Sequence, residues 1–463
     1  MTQRPNILLL HSDQHRYDCV NVDDSDPLPL RTPHLDQLGA EGTRFSHAFC
    51  PIPVCIPTRN SLIYGVWPTK HLAIANWGTE APRPAREDLP AWPSLLSESG
   101  YRLSLVGKWE VHPTRGPLDY GFARHLPLEA YRDWREAQGL SRHLTENGYL
   151  GCTDHEARPD QTQLAWGADH IIRLLREDSG DQPFLIAWCT NEPHLPCQLP
   201  EPYASLYPPE SIPPWPSFPD PLAGKPYIQA QQRRTWGLEG WTWEQWAPVV
   251  SRYLGVVRLL DDQIGRILAA LDGLGLAENT VVIYTTDHGD MGGGHGMIDK
   301  HYIMYDDVTH VPLIVRWPKH AQAGATSDAF VSHSVDLAAT ICDIAGVPTP
   351  ETFQGESLLP LLAGDTSHAR QDILSTYFGN QFGLYSQRMI RDERWKYVYN
   401  ATAEDELYDL AHDPGEIHNL ALAPESAAEL ARLRRRLVEW MEEIQDPLLN
   451  HWIRDQLLEG RTR

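Results

Sequence analysis

The sequence is short of three things. Its seven cysteines are odd in number and follow neither a disulfide framework nor a zinc spacing, so reduced thiols in a cytoplasmic protein are the expectation. Basic residues are outnumbered, 39 Lys and Arg against 62 Asp and Glu, for a net charge of −23. That excludes broad attraction for nucleic acid or an anionic membrane surface, and any anionic ligand must be held by local cations. Long apolar runs are also missing: residues 7–10 are too few for the core of a signal peptide, and no later stretch is long enough to span a bilayer. What the chain does have is 41% hydrophobic residues over 463 positions, enough for one large and one smaller buried core, which excludes a disordered or fibrous chain.

Short apolar runs followed by helical periodicity predict parallel strands joined by crossover helices. The clearest strands are 6–11, 102–106, 183–189 and 280–285. A helix carries Tyr253, Val256, Val257, Leu260, Ile264, Ile267, Leu268 and Leu271 on one face and ends at Gly273 and Gly275. Residues 201–248, rich in Pro and Trp, read as a long surface excursion. Segments 388–400 and 406–410 look antiparallel, with a closing helix over 427–444. The expected fold is thus an α/β domain over 1–365, its large and mostly parallel sheet sandwiched by helices, with a smaller α+β domain over 366–463 carrying an antiparallel sheet.

Polar clusters sit just after the predicted strands, where open α/β sheets gather ligands. Asp13-Gln14 follows the first, and Asp287-His288 follows the fourth and opens the run HGDMGGGHG. Taken alone, Asp13 reads as a capping residue in a turn. Together, two carboxylates, an amide oxygen and an imidazole suit Ca²⁺, Mg²⁺ or Mn²⁺ better than zinc. A third cluster is Cys55-Ile56-Pro57-Thr58-Arg59, within PVCIPTRNSLIYG. A buried free cysteine is its plainest reading.

The company of that cluster is more specific. PNILLLHSDQHRYD, TPHLDQLGAEGTRFSHAFC, GVWPTKH, LVGKW, NEPHLP, TTDHGD, GGGHGMIDKH, VPLIVRWP and ELYDLAHDPGEIHNLA stand in the order found in type I sulfatases, so the chain resembles that family over nearly its whole length. The resemblance implies an alkaline-phosphatase-like fold and a sulfuric ester hydrolase. It implies that Cys55 is oxidised to formylglycine by a formylglycine-generating enzyme. It also makes Asp13, Gln14, Asp287, His288 and an oxygen on modified Cys55 the ligands of one divalent metal, and places Arg59, Lys108, His194 and Lys300 around the sulfate. In the implied reaction a hydroxyl of the hydrated aldehyde attacks sulfur, His194 or Lys300 protonates the leaving oxygen, and the second hydroxyl collapses to expel sulfate. Plainer readings of these residues are an exposed ion pair for Lys300 with Asp299 or Asp306, a turn for His194 between prolines, and a loop hydrogen bond for His295.

Two positions depart from the family. Gln14 stands where many members have a second aspartate; with His288 it is similar to the branch of choline sulfatases and phosphonate monoester hydrolases. Glu110 stands where a histidine is expected. If the segment after Lys108 is extended, Glu110 and His112 share its face, so Glu110 would read a substrate hydroxyl and His112 would take the missing histidine's task. Trp236, Trp241, Trp243 and Trp246 offer faces for sugar rings or else pack the excursion onto the domain. The expected substrate is a small sulfated mono- or oligosaccharide, since the acidic surface opposes a long polyanion. Phosphonate monoester or phosphodiester hydrolysis on the same scaffold is the first alternative, and a catalytically weakened sugar-binding relative, suggested by Glu110, is the second. Which sugar, which sulfate position and whether the chain forms a homo-oligomer are left open by the sequence.

Overall fold

The computed structural model describes residues 4–20, 27–76, 84–140, 148–379 and 384–460. Its strands are β1 (Asn6–Asp13), β2 (Thr43–Phe49), β3 (Arg102–Gly107), β4 (Arg124–Leu126), β5 (Cys152–Thr153), β6 (Phe184–Pro193), β7 (Gln198–Leu199), β8 (Thr280–Thr286), β9 (Leu313–Arg316), β10 (Ala325–Ser332), β11 (Asp372–Gly379), β12 (Tyr385–Asp392), β13 (Trp395–Asn400) and β14 (Glu406–Asp409). Eight of them form one sheet in the order β10-β2-β9-β8-β1-β6-β3-β4. Only β9 runs against its neighbours.

The central strands are buried on both faces, as a parallel sheet between helical layers requires. Alternation along β1 sends Leu8 and Leu10 into one core, with the helices Gln163–Glu177 and Trp243–Gly273, and Ile7 and Leu9 into the other, with Cys55–Tyr64 and His333–Ala345. All four expected strands are present, and each runs further toward its carboxyl end than the apolar pattern suggests. The polar residues there still pair across the sheet, Asp13 with Pro193 and Ser12 with Thr286.

The expected excursion is only partly an excursion. It holds the helix Tyr227–Thr235, and the long helix begins at Trp243, so Pro248 lies inside it. Pro248 there forfeits one early hydrogen bond instead of marking a boundary. Trp246 and Trp215 are buried in the core, and Trp241, partly buried, packs on Trp246 with ring centroids 5.1 Å apart.

Strands β11 to β14 form a separate antiparallel sheet in sequence order, with the helix Ala427–Glu443 packed on it. This sheet also grips the segment before Cys55: Thr376 N–H donates to the Pro51 carbonyl at 2.8 Å and the Ser375 hydroxyl to that of Cys50 at 2.5 Å.

Candidate active site

The carboxyl ends of β1, β3, β6 and β8 converge, and the helix Cys55–Tyr64 brings its first residue to the same place. Cys55 is 1% exposed. Its Sγ lies 3.2 Å from Nε2 of His288 and 3.9 Å from Oδ1 of Asp13. Burial, with Asp13 adding to it, pushes the thiol up to about 12, so unmodified Cys55 is a poor thiolate nucleophile.

Asp13, Cys55, Asp287 and His288 each offer a ligand atom within 4.8 Å of the others, all buried. His288 Nδ1 donates to the Gly289 carbonyl at 2.9 Å, which leaves Nε2 with its lone pair toward the cluster, as a metal-binding histidine is usually held. Hard carboxylate oxygens, one imidazole nitrogen and the amide oxygen of Gln14 fit a divalent cation.

Cations already surround these carboxylates. Lys108 Nζ reaches Asp13 Oδ2 at 2.7 Å, while one Arg59 nitrogen bridges Asp13 at 3.0 Å and Asp287 at 3.1 Å. Burial alone would raise Asp13, yet Lys108, His194, Arg59 and Lys300 hold it well below the usual carboxylate range. Arg59 therefore pairs directly with the carboxylates of the cluster. Lys300, far from an exposed pair, is 2% exposed; its Nζ donates to Gln14 Oε1 and to His194 Nε2, both at 2.8 Å, and lies 3.3 Å from Asp299. Burial pulls its ammonium down, but Asp299, Cys55 and Asp13 hold it well above the ordinary lysine value.

Residues 5–347 match the family model described as Sulfatase, and residues 293–443 match the one described as N-sulphoglucosamine sulphohydrolase, C-terminal. The chain belongs to the sulfatase family. It is 30% identical to an uncharacterised sulfatase of Escherichia coli, over 97% of this chain and 89% of that protein. It is 24% identical to an N-acetylglucosamine-6-O-sulfatase of Bacteroides thetaiotaomicron, over 96% and 87%. The structure superposes on the phosphonate monoester hydrolase of Agrobacterium radiobacter with a TM-score of 0.83 and 26% identity, over 96% of this chain and 97% of that one.

Not every residue singled out from the sequence reaches this sulfatase's centre. Glu110 does: its carboxylate is 3.1 Å from Lys108 Nζ and is 37% exposed. His112 does not, because the segment is not extended; Glu110 has φ of +46°, which breaks the alternation that would have kept both on one face. His112 instead accepts the N–H groups of Thr114 and Arg115 on Nδ1 at 3.2 and 3.0 Å. Burial lowers its pKa, and the charges acting on it, Arg115, Glu87 and Asp119, lie outside the cluster. Trp241, partly buried, packs against the core, and Trp243 donates to the Ile212 carbonyl. Trp236 alone approaches, stacked 5.2 Å from Tyr149, whose ring meets His194 edge-on at 6.3 Å. His295 bonds Asp220 at 2.6 Å and stacks on Tyr305, away from the cluster.

Three side chains at the site escaped the sequence reading. Asn76 donates to Cys55 Sγ at 3.8 Å, Asp290 holds the Gln14 amide, and Tyr149 backs His194. Only Asp290, two residues beyond His288 in the glycine-rich run, carried a signal that could have been used. Beyond His194 lies a cavity of about 600 Å³ whose walls include Arg132, Gln163, Asn191, Glu192 and Gln198.

Proposed function

We propose that this enzyme removes sulfate from a small sulfated mono- or oligosaccharide, with a formylglycine made from Cys55 and one divalent ion, Ca²⁺, Mn²⁺ or Mg²⁺, held by Asp13, Gln14, Asp287 and His288. The observation that carries the reading is the position of Cys55: first residue of a helix, in contact with His288 and Asp13, inside a ring of carboxylates that is itself ringed by Lys108, Arg59 and Lys300. The ion, when bound, would acidify the nucleophilic hydroxyl and balance charge on the sulfate oxygens. Lys108 and Lys300 flank the cluster and hold the anion against an otherwise acidic protein. The Lys300–His194 pair supplies the proton to the departing oxygen.

A sugar leaving group is supported by the cavity beyond His194, whose amides, carboxylates and Arg132 suit a polyhydroxylated ligand, and by the activity named for the Bacteroides relative. Glu110, exposed beside Lys108, would accept a sugar hydroxyl. Seven cysteines that follow no disulfide spacing suit a reducing, cytoplasmic setting, with a formylglycine-generating enzyme as maturation partner. Phosphonate monoester hydrolysis is the second reading, favoured by the Gln14 and His288 pair and by the full-length match to such a hydrolase.

The test is mass spectrometry of the peptide containing residue 55 together with turnover of sulfate and phosphonate esters of one alcohol. An aldehyde at 55 and a higher kcat/KM on the sulfate ester are expected, with Cys55→Ala folded and inactive. A preference for the phosphonate ester would transfer the assignment to the second reading. Substantial activity in Cys55→Ala would end both.

A further inference from the structure

The side-chain amide of Gln14 is gripped at both ends. Its Oε1 accepts from Lys300 Nζ at 2.8 Å, and its Nε2 donates to Oδ2 of Asp290. An ammonium only donates and a carboxylate only accepts, so the amide has a single orientation, with its oxygen on the side of Lys300. Asp290 has no freedom to yield. Its second oxygen, Oδ1, accepts the Gly292 N–H at 2.6 Å, and its backbone carbonyl accepts Arg16 Nη1 at 2.6 Å. Arg16 is in turn paired with Asp18 and Asp307. Asp290 is 1% exposed, and among the described residues no lysine or arginine forms an ion pair with its carboxylate.

A carboxylate in place of the Gln14 amide would meet Asp290 oxygen to oxygen in a buried setting, a repulsion that neither Gly292 nor Lys300 relieves. We propose that Asp290 is a positioning residue that forces position 14 to be an amide and aims its oxygen, and so fixes the ligand set at two negative charges instead of three. The part that concerns the ligand set rests on the metal reading above; the polarity of the pair does not.

The logic predicts that the pair can be inverted. In Gln14→Glu with Asp290→Asn, the carboxylate now at position 14 accepts from Lys300 and from the amide nitrogen now at position 290, while the amide oxygen at 290 keeps the Gly292 N–H, so every contact is restored with reversed polarity. In Gln14→Glu alone two carboxylates collide. In Asp290→Asn alone the new amide has one oxygen for two donors. The experiment measures the thermal midpoint of the chelator-treated protein and Mn²⁺ affinity by calorimetry for the parent, both single variants and the double variant. Each single change should lower the metal-free midpoint by about 3 °C, and the double variant should recover most of it. Asp290→Asn should also weaken Mn²⁺ at least about tenfold, with recovery in the double variant. Should either single variant fail to fold, a folded double variant is the same rescue. Losses that add in the double variant, or a Gln14→Glu protein with the parent's midpoint, would overturn the proposal. A rescued midpoint with Mn²⁺ affinity equal in all four proteins would overturn the ligand-set part alone.

Discussion

Lys300 Nζ and His194 Nε2 lie 2.8 Å apart, and His194 Nδ1 lies 2.6 Å from the Leu195 carbonyl. With Nδ1 donating to that carbonyl, Nε2 is the acceptor and the imidazole is neutral; burial, then Lys300, push its pKa down to about 4. In the proposed reaction the proton for the leaving group would therefore start on Lys300, and the two side chains would act as one donor.

From that pairing, Lys300→Met and His194→Ala should each slow an alkyl sulfate about 100-fold or more while costing a nitrophenyl sulfate far less, because only the poorer leaving group needs the proton. The double variant should lose little beyond either single one. Equal losses on both esters in the paired kinetics would remove the two residues from proton donation.

Chelation should abolish turnover, and Mn²⁺, Mg²⁺ or Ca²⁺ should restore it. At a hundredfold excess over its Kd the ion should add about 2.7 kcal/mol to unfolding stability, readable in a denaturant titration. Recovery with zinc alone would contradict the oxygen-rich ligand set.

Glu110 and His112 should part company. Glu110→Gln should raise KM for sugar sulfates about tenfold and spare a plain aryl sulfate, since a charged hydrogen bond to a hydroxyl is lost only with the sugar. His112→Ala should leave the rate on both unchanged, because its ring holds its own loop. A general slowing in His112→Ala, with sulfated enzyme accumulating in intact-mass spectra, would return it to the site.

Acid should destabilise the fold through His71. Burial pushes this ring down to about 3, with Nδ1 accepting the Ala73 N–H at 3.1 Å. Below the ordinary histidine value the unfolded chain takes up a proton that the folded chain refuses, so stability is lost as pH falls. The loss should be about 1.4 kcal/mol per pH unit between roughly pH 6 and 4 from this group alone. Denaturant titrations across that range should show a shallower slope in His71→Gln, and an unchanged slope would count against the neutral ring.

The apolar periodicities made the strands and the long helix legible, and the polar clusters at strand ends followed from them. That Trp246 lies in the first turn of the long helix was hidden because Pro248 looks like a stop in sequence, and only the packing of the helix start shows it is tolerated. His112 was misplaced by a single backbone angle at Glu110, and no side-chain pattern reports a φ. Asp290 was invisible as a partner of Gln14, since the two lie 276 residues apart and meet only once β1 and β8 pair.

The grip of β11 on Cys50 and Pro51 also sets an order of events. Position 55 leaves the ribosome early, whereas Asp287, Lys300 and the strand that bonds Cys50 and Pro51 come some 230 to 320 residues later. In the folded chain Cys55 is 1% exposed, so an enzyme that altered it as proposed would meet it most readily before that strand is laid down.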